Sequence, residues 1–166
     1  MLPNPLHPAI VHFPLVLAFL LPISAVIAIW TIRRGSRLTR AWLVPLAIAG
    51  ALSLSSWVSV ETGENQDERV EQVVAERPLE THEEAAEQFL TASIVVLLIT
   101  AAGMIKGRPG GVARYTSLAV ALVLVGGAAY VGHTGGQLVY KHGAASAYAT
   151  PAPGPVMRAD AGDNDD

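Results

Sequence analysis

Four stretches of the chain carry no Asp, Glu, Lys or Arg: residues 1–32, 41–60, 89–105 and 115–140. Within them, polar positions do not recur every third or fourth residue, as the solvated stripe of a soluble amphipathic helix requires. The run IVVLLITAAGMI shows this most plainly. A helix crossing the hydrocarbon core needs about 20 apolar residues, with ~17–25 tolerated. Each stretch supplies that, so the pattern predicts an all-α integral membrane protein, a four-helix bundle in the lipid bilayer.

The first crossing is expected over 13–32, or from Pro8, with Pro14 and Pro22 bending it. The second is expected over 41–60, with Trp42 and Trp57 suited to the two interfaces. Thr81 and Glu84 have capping-box spacing, which predicts a helix starting there and running to 105. The fourth spans 115–140. Val70, Val73 and Val74 have helical spacing and predict a short surface helix before the third crossing. One membrane domain therefore covers 1–143, with an acidic loop over 61–88. A tail over 144–166, rich in Ala, Pro, Gly and Asp, is expected to be disordered. No internal repeat is visible.

Charge adds an orientation. The segments RRGSRLTR and KGRPGGVAR hold seven basic residues and no acid. All 14 carboxylates lie in the 61–88 loop or the tail. Basic short loops face the cytoplasm, so both termini and the acidic loop are expected outside, on the periplasmic side of a bacterial inner membrane. The start, MLPNPLHP, has no basic residue and does not read as a secretory signal. There is no cysteine, which excludes disulfides, thiolate metal sites and covalent c-type haem. No phosphate loop, nucleophile motif or HExxH is present, so no enzyme class is indicated. The basic loops are short and explained by topology, which argues against nucleic acid.

The candidate chemistry lies in five histidines: His7, His12, His82, His133 and His142. On this topology all lie at the outer end of the bundle. At ~1.5 Å per residue, His12 is ~30 Å above Ile32, His133 ~28 Å above Arg114 and His82 ~36 Å above Lys106. His12 and His133 are thus matched in depth. His7 and His142 fall just outside. Gly126, Ala129 and Gly136 share a helical face with His133, and Gly132 adjoins it. Small residues admit a neighbouring helix, and they also leave room for a flat macrocycle. Tyr130 and Tyr140 share that face. Gly135 and Gly136 offer a helix end that would let His142 fold back. Glycine-mediated helix packing is the plain alternative for this face.

The blocks LHPAIVHFPLVL, THEEAAE and GHTGGQLVYKHG contain all five histidines. Together they resemble the bacterial membrane family called domain of unknown function 2231, over about Leu6 to Gly143. The resemblance implies a four-helix inner-membrane domain. Relatives near or fused to cytochrome-type modules imply a redox role.

Three functions follow as expectations. The first is non-covalent haem b binding and electron transfer, with His12 and His133 as the first ligand pair and His82 next. His7, His142, Gly132, Gly136 and Tyr140 complete that cofactor site. A periplasmic electron carrier would dock on the acidic loop. The second is a zinc or copper site without porphyrin, using His12, His133 and His82 as metal ligands, with Glu61, Glu83 and Glu87 at its mouth. The third is an accessory subunit of a larger membrane complex, its polar cluster only holding helices together.

Overall fold

The computed structural model describes residues 6–148. These form α1 (His7–Ile10), α2 (His12–Arg33), α3 (Leu38–Glu64), α4 (Asp67–Val70), α5 (Glu76–Ala102) and α6 (Gly107–Tyr140), followed by a 3-10 turn (Ala144–Tyr148). No strand occurs among the described residues. Four helical segments are long and apolar enough to cross a membrane: His7–Arg33, Leu38–Glu64, Glu76–Ala102 and Gly107–Tyr140. Helix α2 packs on α3, α3 on α5, α5 on α6, and α6 on α2, closing a ring of four.

The interior interleaves alanines with large apolar side chains. Its central cluster takes Ala18 and Leu21 from α2, and Ala49 and Leu52 from α3. Phe89 and Val96 come from α5, and Ala121, Leu124 and Ala128 from α6. Other large apolar groups turn outward: Phe13, Phe19, Ile23, Ile27 and Trp30 on α2 are all exposed. Such an exterior suits lipid, where alanines at the interface let backbones approach closely. Pro22 and Pro45 are buried inside α2 and α3. Pro14 sits in the first turn of α2, where its missing N–H has no intrahelical partner to lose.

Several boundaries differ from the sequence pattern. Helix α5 starts five residues before Thr81, with Ala75 at its N-cap. The expected capping box is not formed there, because the Thr81 hydroxyl donates back to the Arg77 carbonyl at 2.8 Å. Helix α6 begins at Gly107 rather than 115 and absorbs Arg108, Pro109 and Arg114. Its 34 residues make it roughly 50 Å long, well beyond the ~30 Å hydrocarbon core. Gly135 and Gly136 do not end it, since the helix runs on to Tyr140. The short helix in the acidic loop is α4, which stops at Val70, and the chain then turns so that Val74 is buried.

The stretch 144–148 of the expected disordered tail is ordered. Gly143, at φ +74°, adopts a left-handed conformation that L side chains rarely take and reverses the chain. Ala144 is then buried against Leu138, Leu79 and Val74. The Tyr148 hydroxyl donates to Gln66 Oε1 at 2.6 Å, and Arg69 lies 5.4 Å from the centre of the Tyr148 ring. Residues 149–166 of that tail lie outside the described residues.

Candidate imidazole site

Two of the five histidines meet. His7 opens α1 and His82 lies one and a half turns into α5; both are half-buried. Their ring centroids are 6.4 Å apart and their planes are 83° to one another. Helical register explains why these two turn inward. His82 is seven residues before Phe89 and fourteen before Val96, both core residues. His7 stands in the same relation to buried Pro14 and Leu21. Seven residues are close to two turns, so each imidazole shares the face of its helix's core residues.

Each ring is held from behind. His7 Nδ1 is 2.8 Å from the Ser59 carbonyl of α3. A carbonyl only accepts, so Nδ1 carries the proton. His82 Nδ1 is 2.9 Å from Thr134 Oγ1 of α6. The Thr134 hydroxyl already donates its one hydrogen to the Val131 carbonyl at 3.0 Å, so its oxygen accepts and His82 Nδ1 donates. In both neutral rings the remaining Nε2 is therefore a bare lone pair. Among the described residues, neither Nε2 takes a hydrogen bond.

Two glycines make room. A Cβ at Gly63 would lie 3.3 Å from His7 Cε1, and one at Gly135 would lie 2.9 Å from His82 Cε1. The latter is closer than real Cβ contacts come, so Gly135 is the glycine of GHTGGQLVYKHG that touches an imidazole.

The pair expected from matched depth, His12 with His133, is not the pair the fold gathers inside. Both are exposed on the bundle's exterior. Depth along the axis leaves helical phase open. His12 falls seven residues before exposed Phe19, and His133 seven after exposed Gly126. His133 Nε2 accepts from the Gln137 amide at 2.9 Å. With Gly132, Gly136, Tyr140 and Lys141 it lines a shallow depression on the outer face of α6. The small-residue face around His133 is thus real but points outward. His142 lies just beyond α6, half-buried, and lines a separate cavity with Arg77 and Gln137.

Among the described residues, no group of three or more His, Cys, Asp or Glu side chains is arranged to hold a metal ion. Among the described residues the imidazole pair therefore has no third side-chain ligand. Glu83, next to His82 in the chain, belongs to an acidic cluster with Glu64, Asp67 and Glu71. Burial, then repulsion from Glu64 and Glu71, holds the Asp67 carboxyl above the usual carboxylate range, and a hydrogen bond with Glu83 offsets part of this. Burial likewise raises the Tyr148 phenol.

A ring of four helices, each long and apolar enough to cross a membrane and with large apolar groups on its outer surface, defines a multi-pass membrane protein. The chain belongs to the family described as predicted membrane protein, domain of unknown function 2231, whose model matches residues 3–147. No curated protein and no solved structure matches it.

Proposed function

We propose that this protein holds a metal-centred cofactor between His7 and His82, with haem b the group that suits them best, and serves electron transfer at that face of the membrane. The observation that carries this reading is the pair of anchored imidazoles, 6.4 Å apart between ring centres, with both Nε2 lone pairs free of hydrogen bonds. Ligating histidines characteristically donate the other ring N–H to a carbonyl or similar acceptor, which sets tautomer and orientation. Metal–imidazole bonds of ~2.0–2.1 Å place the centroids of two opposed rings about 6 Å apart, close to the 6.4 Å found. Zinc normally takes three or four protein ligands. A porphyrin brings its own four nitrogens, so two axial imidazoles complete it. Bound there, haem iron would supply a one-electron couple whose potential is set by axial ligation and burial.

Copper is the second reading, favoured by the same two imidazoles and by the absence of a third ligand among the described residues. The seven basic residues at the opposite end support a periplasmic position for the histidines in a bacterial inner membrane. The acidic cluster of Glu64, Asp67, Glu71 and Glu83 would then face a basic electron carrier or another membrane subunit.

Protein purified from haem-replete cells is expected to be coloured and to give the reduced-minus-oxidised bands of a six-coordinate b-type cytochrome. Acid-acetone should extract the pigment, because there is no cysteine to hold it covalently. A colourless protein that stays colourless after haem addition rejects the haem reading, and one copper per chain in that sample selects copper. Orientation is checked by labelling cysteines from outside intact cells. Asp67→Cys should react and Gly35→Cys should be protected; the opposite pattern reverses the topology.

A further inference from the structure

A second polar site lies beside the imidazole pair. A cavity of about 240 Å³ opens between the start of α5 and the end of α6. At ~30 Å³ of liquid volume per water, it has room for about eight waters. Its polar lining is Arg77, Thr81, Thr134, Gln137 and His142, and among the described residues no carboxylate lines it. This is notable for its place, because Glu76 and Glu80 flank Arg77 on the same helix.

The hydrogen-bond inventory makes this lining a donor site. Arg77 brings a guanidinium, which only donates. His142 brings a ring N–H. The Gln137 amide spends one hydrogen on His133 and keeps its second. The Thr81 and Thr134 hydroxyls send their hydrogens to helix carbonyls. Donors and positive charge thus outweigh acceptors, which is the complement of an oxyanion. Arg77 stands 25 residues before Ala102, roughly 37 Å along the helix and so beyond the ~30 Å hydrocarbon core, at headgroup depth.

We infer that this cavity binds a phosphate-type oxyanion, either free or as a lipid headgroup, through Arg77, His142 and Gln137. Thr134 forms the wall it shares with the imidazole pair, since its oxygen accepts the His82 N–H.

The test uses the full chain in nanodiscs. In discs of phosphatidylcholine alone, inorganic phosphate is titrated by calorimetry. In discs that also contain phosphatidylglycerol, retained lipid is counted by native mass spectrometry. A free-oxyanion site gives saturable phosphate binding in the first. A headgroup site gives none there and selective retention of phosphatidylglycerol in the second. In either case Arg77→Gln should weaken binding by about ten-fold or more, the worth of a hydrogen bond to a charged group. His142→Gln should weaken it severalfold. Arg108→Gln, at the other end of α6, should leave it unchanged. If Arg77→Gln fails to insert, His142→Gln and Gln137→Leu carry the comparison. The inference is overturned if neither disc shows selective binding, or if the inserted variants bind as the parent does.

Discussion

The two ends of the bundle each bury polar groups among apolar helices, and they differ in how those groups are satisfied. At the end with the basic loops, Trp42 is fully buried and its indole N–H donates to the Thr100 carbonyl at 2.8 Å. The Thr100 hydroxyl donates to the Val96 carbonyl and accepts from Ser117 at 2.6 Å. Arg114 donates to the Gly103 carbonyl at 2.5 Å, closing the end of α5. Arg34 lies 4.5 Å from the centre of the Trp30 ring. The Trp42, Thr100 and Ser117 donors of that network each have a partner. At the histidine end, the donors on His7 and His82 are placed, but two lone pairs are left over. A closed network holds helices together and leaves nothing to react, whereas an open pair of neutral imidazoles is a ligand set. Fully satisfied buried polar groups rigidify a core; among the described residues no buried side-chain N or O lacks a partner, so the two free Nε2 atoms are reached by solvent and stay open to a ligand.

The two ends should therefore respond differently to the same small insult. A methyl at Gly103 would run into the Trp42 indole and come 2.9 Å from the Thr100 carbonyl. Gly103→Ala is expected to cost about 1–3 kcal/mol by overpacking, read as a lower thermal midpoint in detergent. The three atoms nearest a methyl at Gly135 all belong to the His82 ring, a side chain that can turn away. Gly135→Ala should keep most of the stability and lose most of the cofactor, measured by pigment or metal per chain. Equal stability losses at both glycines would erase the distinction between the ends.

Trp42→Phe gives the next effect. It removes the indole donor to the Thr100 carbonyl, which still accepts from the Gly103 N–H at 3.0 Å, so the loss is that of one hydrogen bond, about 0.5–1.5 kcal/mol. Cofactor content should not change. Ser117→Ala should cost less, about 0.6 kcal/mol, as membrane side-chain hydrogen bonds do on average.

The smallest effect belongs to the acidic loop. The folded Asp67 carboxyl lies above its ordinary value of 3.8 because of burial and then Glu64 and Glu71. An acid whose folded pKa is raised binds protons more tightly when folded. Its contribution favours the folded loop below the ordinary value and is lost as pH rises through the folded one. Asp67→Asn should then slow amide exchange across the loop at neutral pH, and the difference from the parent should vanish as pH falls through the carboxylate range. Faster exchange in the variant would contradict this assignment.

Much of this architecture can be read along the chain. Gaps between charged residues locate four crossings, and seven bases against no acid mark one end of the bundle. Lipid and core are both apolar, however, so hydrophobicity does not tell an inward face from an outward one. On α2 the large groups Phe13, Phe19 and Trp30 face out, while Ala18, Ala25 and Ala28 face in. The small residues are the better guide to the interior. Counting back from Leu21 and Phe89 by sevens reaches His7 and His82, whereas depth alone selects His12 and His133. The same reasoning accounts for Gly132 and Gly136, whose spacing marks a face without saying which way it points. Glu76 as the start of α5 was not legible, because Ala75 carries no side-chain cap and Thr81 mimics one. The turn after Gly143 was hidden in low-complexity sequence, since its order depends on distant Leu79 and Gln66.

The most direct measurement compares cofactor per chain in five single variants, each histidine changed to Ala, purified in parallel from haem-replete cells with total metal determined on the same samples. An imidazole pair acting as the ligand set requires near-complete loss in His7→Ala and His82→Ala, and near-parental content in His12→Ala, His133→Ala and His142→Ala, with all five inserted in the membrane. Full content in His7→Ala and His82→Ala alongside loss in His12→Ala or His133→Ala would move the site to the outer face of the bundle. No haem or metal in the parent would make the pair a structural contact like the one at the other end.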